Sequence, residues 1–207
     1  MRCVQIYAFG GPEVLQPGEC PMPEPAADEV LIRVRAAGVN PVDAKIRAGQ
    51  RRETYNRILP AILGWDVSGT VARCGVQVQR LQESDEVYAR LDLARSGTYG
   101  EYAVAKENET ALKPSNLSHV QAAAIPLAGL TAYQALFSAG DLREGQRILI
   151  HAAAGGVGHF AVQLAKARGA FVIGTARSRN HAMLRALGAD QIIDYTQTRF
   201  ETAARDV

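Results

Sequence analysis

Apolar residues follow two different spacings along the chain, and the change falls near Lys113-Pro114. Before it they alternate with polar residues in short runs, as in EVLIRVRAAG over 29–38. A period of two predicts strands at Cys3–Ala8, Glu29–Ala36, Val67–Cys74, Glu86–Leu91 and Tyr99–Ala105. Alternate side chains of such strands share one face, so these strands should wrap a small barrel-like or sandwich core. Between the first two lies GGPEVLQPGECPMPEPAADE, whose prolines and glycines allow only loop or edge structure.

After Lys113-Pro114 the spacing becomes helical. Ser118, with Gln121 three residues on, forms a capping-box pattern leading into HVQAAAIPLAGLTAYQALFSAG, a helical segment that Pro126 should bend or interrupt. From Gln146 the order is strand, helix, strand, helix, strand: RILIHA, GVGHFAVQLAKARG, AFVIGTA, RNHAMLRALG, DQIIDY. Continuous apolar strands between amphipathic helices predict a parallel sheet built by right-handed crossovers. The expected fold class is therefore α/β with a β-rich N-terminal domain, divided as 1–117 and 118–207. The three strands after Gln146 amount to the first half of a Rossmann fold, which has two such halves.

The first of these strands runs straight into a glycine cluster, and that is where chemistry enters. Residues Ala153 to Gly158 read A-x-G-G-V-G on the G-x-G-x-x-G fingerprint, with Ala153 in the first glycine position. Gly155 permits backbone to approach a pyrophosphate and Gly158 permits close packing of helix on strand. The helix start at Ala154, Gly155, Gly156, Val157 and Gly158 supplies unpaired N–H groups and partial positive charge. Val157, Phe160, Ala161 and Leu164 fall on one helical face, and Gly169 stands where a left-handed C-cap would end the helix. An NAD site carries Asp or Glu about 20 residues beyond the glycines. Here that stretch is GTARSRN, with Thr175, Arg177 and Ser178 and no acid, so the expected cofactor is NADP(H), whose 2′-phosphate meets a cation and hydroxyls.

Composition narrows the classes further. With 47% hydrophobic and 21% charged residues the chain is of ordinary globular type. A net charge of +2 gives no reason to expect nucleic acid. The local cluster Lys45, Arg47, Arg51, Arg52 and Arg57 reads first as a solvated loop, with anion steering or RNA contact as the other reading. Cys3, Cys20 and Cys74 form no C-x-x-C pair, which speaks against a zinc cluster or disulfide framework. The apolar stretch Ala122–Leu136 is broken by Pro126 and Gly129, so no membrane span is expected, and with no targeting signal in view the expected location is the cytoplasm. None of the four histidines has a nearby Asp, Ser or Cys partner in sequence that suggests a triad, and all four read as structural.

Six stretches, AAGVNPVDAKIRAG, GWDVSGTV, GTYGEYAV, IPLAGLTAYQAL, HAAAGGVGHFAVQLAK and LGADQIIDY, occur in an order that resembles the zinc-independent quinone oxidoreductase (zeta-crystallin-like) branch of the medium-chain dehydrogenase/reductase superfamily. The resemblance implies a GroES-like domain followed by a Rossmann domain, with the active site in the cleft between them. It implies hydride transfer from NADPH to a quinone or an α,β-unsaturated carbonyl without zinc. Zinc-dependent relatives place Cys where this chain has Asn40, and Gly-His-Glu where it has Gly64-Trp65-Asp66. Asn40 and Tyr55 are then expected to orient the acceptor, Thr131 to contact the nicotinamide, and Ser178 and Tyr195 to lie around the 2′-phosphate. Relatives run on into a fourth strand, so the chain resembles an oxidoreductase cut short. Its alternative reading is an inactive nucleotide-binding or regulatory protein that keeps the adenosine half-site. The expected partner is a small molecule, with a homo-oligomer left open by the exposed sheet edge.

Overall fold

The computed structural model describes residues 1–50 and 59–204, and the chain divides into two units, Met1–Leu127 and Ala128–Val207. In the first, alternating apolar residues build two antiparallel sheets around one core. The larger has the order β7-β3-β5-β6-β8, formed by β7 (Tyr102–Lys106), β3 (Glu29–Gly38), β5 (Asp66–Cys74), β6 (Glu86–Arg90) and β8 (Thr110–Leu112). The smaller has the order β2-β1-β4, formed by β2 (Leu15–Glu19), β1 (Arg2–Ile6) and β4 (Ala61–Ile62). Ile6, Val30, Ile32, Trp65, Val67 and Val87 are all fully buried in the shared core. Irregularities at Leu31/Ile32 and Val34/Ala36 break the register of β3 on β5, and such bulges bend and twist a strand.

Four elements lie outside the strand pattern read from sequence: the short strands β4 and β8, the edge strand β2 and a helix after Asn40. The Pro/Gly-rich stretch contains β2, and Pro17 is tolerated there because β2 is an edge strand that, among the described residues, pairs with β1 alone. The segment beginning at Pro41 forms α1 (Pro41–Arg47), with proline at its first position, where the missing N–H is no loss. Lys45 and Arg47 therefore close a helix, beside the negative end of its dipole, rather than lying in a loop. The remaining cations of that cluster, and Tyr55, lie outside the described residues.

The predicted Ser118 cap is formed. Ser118 N–H donates to Gln121 Oε1 at 2.9 Å and Gln121 N–H to Ser118 Oγ at 3.3 Å, starting α2 (His119–Ala123). Pro126 divides the helical segment as expected and opens α3 (Pro126–Tyr133), which runs on into a π-helical stretch at Gln134–Ala139.

In the second unit β9 (Arg147–Ile150), β10 (Phe171–Thr175) and β11 (Gln191–Ile193) form a parallel sheet in the order β11-β10-β9. The connections carry α4 (Gly156–Ala167) and α5 (His181–Ala186), and α6 (Phe200–Ala203) follows. This is the GroES-like plus Rossmann-type α/β arrangement expected from the sequence. The buried stripe of α4 is Gly158, Ala161, Val162 and Ala165, while Val157 is 38% exposed. Small residues let the helix lie close on the sheet, and the bulkier Phe160 and Leu164 flank the contact half-buried. Gly169 follows with φ +82°, the left-handed conformation predicted for the end of α4.

Candidate functional site

The turn between β9 and α4 is held by the end of β10. Thr175, 3% exposed, accepts the Ala152 N–H on Oγ1 at 3.2 Å and the Ala153 N–H on its carbonyl at 3.1 Å. Gly155 N–H closes the turn onto the Ala152 carbonyl at 2.8 Å. Ala152 pays for this geometry with φ +50°, an uncommon conformation for a residue bearing a Cβ.

The glycines differ in what they make room for. A Cβ at Gly158 would lie 2.3 Å from the Ala152 carbonyl oxygen and 2.7 Å from the Ala153 Cα, so this glycine serves the contact of helix with strand. At Gly156 a Cβ would meet nothing within 4 Å, so no contact within the protein calls for glycine there. The N–H groups of Gly156, Val157 and Gly158 open α4, where no preceding turn offers them a carbonyl. An open approach at Gly156, beside the first-turn N–H groups at the positive end of a 12-residue helix, fits a phosphate group.

Beside this turn is a cavity of about 620 Å³ whose walls include His151, Ala154, Gly155, Thr175, Arg177 and Tyr195. Arg177 and Tyr195 are exposed at its rim. Gly156, Val157 and Gly158 instead line an adjoining, more apolar cavity of about 500 Å³ with Leu136 and Ile150. Ser178 does not line either one. Its N–H donates to Asp194 Oδ2 at 2.8 Å. Thr196 gives Asp194 two further donors, and these bonds hold its carboxyl down at about 2. Thr131 is exposed on α3.

Sequence reading did not single out Asp194, nor the edge-to-face pair of His151 and Phe200, whose ring centroids are 4.5 Å apart at the cavity wall. A signal for Asp194 was present in DYT, an Asp followed two residues later by a Thr whose N–H it accepts in an Asx-type turn.

In the first unit Asn40 precedes α1 and stands between two buried carboxylates. Its Nδ2 donates to Asp66 Oδ2 at 2.9 Å, and its backbone N–H donates to Asp43 Oδ2 at 2.8 Å. Asp66 Oδ1 accepts the Leu127 N–H at 2.9 Å, and the Tyr99 hydroxyl donates to Asp43 Oδ2 at 2.6 Å. Asp66 is 1% exposed and Asp43 4%. Burial is the main influence on Asp66 and pushes its carboxyl up to about 6. The Asn40 and Leu127 donors oppose the rise, and the neighbouring Asp43 charge adds to it. Burial likewise raises Asp43 against the pull of Tyr99 and Asn40. The Tyr99 phenol is driven up by burial and then by its bond to Asp43.

This donor set does not suit a catalytic zinc, which takes three Cys, His or carboxylate ligands. Both Asp66 oxygens and one Asp43 oxygen are engaged by protein donors, and neither Asn40 nor Trp65 brings a thiolate or imidazole. Among the described residues no group of three or more His, Cys, Asp or Glu could hold a metal ion.

One histidine does acquire partners through the fold. His119 lies 2.8 Å from Ser68 Oγ by Nδ1 and 3.1 Å from Glu86 Oε1 by Nε2. The arrangement is no nucleophilic triad, because Ser68 is fully buried and its hydroxyl donates to the Val87 carbonyl at 2.9 Å. His119 fastens α2 to β5 and β6 instead. His159 and His181 bond the carbonyls of Gly155 and Ala176.

Residues 26–115 match the alcohol dehydrogenase GroES-like domain, and residues 156–207 match the zinc-binding dehydrogenase family. The chain is 42% identical over 201 residues to the chloroplastic quinone-oxidoreductase homolog of Spinacia oleracea, covering 94% of this chain and 61% of that one. It is 43% identical over 210 residues to the 2-methylene-furan-3-one reductase of Solanum lycopersicum, covering 97% and 54%. Among solved structures, the quinone oxidoreductase from Coxiella burnetii superposes with a TM-score of 0.90 at 42% identity, over 99% of this chain and 65% of that one. The Escherichia coli quinone oxidoreductase complexed with NADPH gives 0.85 at 33% identity, over 98% and 61%. The chain thus spans about three fifths of the length of the Spinacia relative. No helix among the described residues is long and apolar enough to cross a membrane.

Proposed function

The chain belongs to the medium-chain dehydrogenase/reductase superfamily, in its quinone oxidoreductase-like branch, and on that premise we propose that the whole protein is an NADP(H)-dependent oxidoreductase reducing a quinone or an α,β-unsaturated carbonyl without zinc. The single observation that carries the reading is the Gly156 turn, open to an approaching group and ringed by the unsatisfied N–H groups that begin α4. A dinucleotide's pyrophosphate has the charge and acceptor oxygens for that position. Arg177, exposed at the cavity rim at the end of β10, favours the 2′-phosphate of NADP(H) by charge. Tyr195 offers a hydroxyl and an aromatic face at the same rim. Thr175, bonded to the Ala152 N–H, keeps the turn in shape rather than meeting the phosphate.

When bound, a reduced nicotinamide nucleotide supplies hydride. The protein's part is to hold the acceptor and to stabilise the charge that develops on its oxygen. In a conjugated acceptor that charge is delocalised, so hydrogen bonds suffice where an isolated alkoxide would call for a Lewis acid. Asn40 is the amide we assign to the acceptor carbonyl, and Thr131 the hydroxyl we assign to the nicotinamide.

Calorimetric titration of the 207-residue chain with NADPH and then NADH tests the cofactor half of this reading. Saturable binding that favours NADPH is expected. Equal affinity for both would remove the argument from Arg177, and a panel of quinones and enones with the whole protein then tests the acceptor half.

A further inference from the structure

Asn40 is held from both sides by acids that, among the described residues, have no hydrogen-bonded cation. Its backbone N–H is fixed on Asp43 and its side-chain amide on Asp66, 26 residues away on β5. The surroundings leave little room for an alternative arrangement. A Cβ at Gly38 would lie 2.7 Å from the Asp66 Cβ and 2.5 Å from the Ala123 carbonyl oxygen, so backbone is packed tightly against the base of the Asp66 side chain. An ionised carboxylate only accepts hydrogen bonds, so it dictates that the NH₂ end of the Asn40 amide face Asp66. The planar amide then turns its Oδ1 to the opposite side. A protonated Asp66 has a hydrogen to donate, and the more favourable pairing is the reverse one, with Asn40 Oδ1 toward Asp66 and the whole NH₂ group turned away.

We propose that Asp66 is a positioning residue whose protonation decides which end of the Asn40 amide is presented to the acceptor. Protonated, Asp66 turns the Asn40 NH₂ outward, where it donates to a carbonyl oxygen; ionised, it turns the Asn40 carbonyl outward, which repels that oxygen. This rests on the reading of Asn40 as the amide that meets the acceptor. Asp66 does not touch the acceptor and acts through Asn40.

Among the described residues, the following groups bear on Asp66. Asp43 on α1 raises its proton affinity, and Arg90 on β6 opposes that. The Tyr99 phenol reaches Asp43, and Arg47 at the end of α1 acts on Tyr99. On α2, His119 is turned to Ser68 and Glu86. Burial places the Asp66 change near pH 6, inside the working range of the experiment.

The test is to follow the Asn40 side-chain NH₂ resonances of the 207-residue chain by ¹⁵N-resolved NMR from pH 5 to 8, alongside the Asp66 carboxyl ¹³C signal. Both are expected to move together with one midpoint near pH 6, and the Asn40 signals of Asp66→Asn are expected to stay fixed. In the whole protein the acceptor KM should fall several-fold as pH is lowered through the same midpoint, with kcat changing less, and Asp66→Asn should flatten that profile. Should Asp66→Asn fail to fold, the carboxyl and amide signals of the unmodified chain decide the matter. Asn40 resonances that ignore the Asp66 titration would overturn the proposal, and so would an acceptor KM that is flat across the midpoint. If the whole protein turns over no quinone or enone, the functional reading fails separately, and the amide titration still decides whether Asp66 turns Asn40.

Discussion

Replacing Gly156 and Gly158 by alanine, one at a time, separates a glycine kept for a ligand from a glycine kept for the fold. At Gly158 the new Cβ would stand 2.3 Å from the Ala152 carbonyl oxygen, 2.7 Å from the Ala153 Cα and 2.8 Å from the Ala153 carbonyl carbon. All three neighbours are backbone, so no side chain can swing aside. α4 must lift by roughly 1 Å to restore ordinary contact distances, and overpacking of this kind typically costs about 1–3 kcal/mol. For a chain of this size that corresponds to a fall in Tm of roughly 2–12 °C. At Gly156 the Cβ meets nothing within 4 Å and φ is not in the left-handed region. Stability there should hold or rise by up to about 1 kcal/mol, since alanine restricts the unfolded chain. The same Cβ stands where the phosphate would approach the first-turn N–H groups. Losing even one charge-assisted hydrogen bond, worth about 1.5–3 kcal/mol, weakens binding by roughly 10- to 150-fold. The assay is a thermal melt of each variant followed by calorimetric titration with NADPH. If Gly156→Ala keeps both its Tm and the parent's affinity, the assignment of that turn to a phosphate is wrong.

Arg177→Ala should weaken NADPH binding by about 10-fold or more while changing NADH by less than about threefold, because only the former carries the phosphate that the guanidinium meets; equal losses in parallel titrations would count against that role. Asp66 gives an unusual pH dependence of stability. Its folded value of about 6 lies above its ordinary 3.8, so the folded chain holds the proton more firmly than the unfolded one, and stability is lost as pH rises from about 4 to 6 and is level above that. The gap amounts to about 3 kcal/mol, and denaturant melts of the parent and Asp66→Asn at pH 4 and pH 7 should differ by that order, the parent losing ground to the variant at pH 7. A parent that gains on the variant over that interval would contradict the sign. Removing divalent metals with a chelator should leave the Tm of the chain within about 1 °C, since neither Asp66 nor Asn40 has the free ligands a catalytic zinc takes; a larger fall would point to a metal that these residues do not explain.

What the sequence by itself determined is what short-range physics encodes. The period of two along β3 and β5, the Ser118–Gln121 cap, the break at Pro126 and the left-handed Gly169 each follow from residues within a few positions of one another. The glycine turn was legible for the same reason, because strand, turn and helix are contiguous in the chain. The buried stripe of α4 was legible only in part. Which of its apolar residues face the sheet depends on how closely Gly158, Ala161 and Ala165 allow the helix to approach. The acids around Asn40 were legible only in part, because Asp43 lies three positions on, whereas Asp66 and Tyr99 are brought in across as many as 56 positions. A carboxyl becomes unusual only when the fold takes water away from it, and desolvation leaves no mark in local spacing. The same holds for Ser68, His119 and Glu86, gathered from β5, α2 and β6, and for Asp194, which accepts the Ser178 N–H from 16 positions away. Periodicity decided most of the strands and helices; only the packed structure decided the short edge elements, which polar groups lose their water and which partners they find in its place.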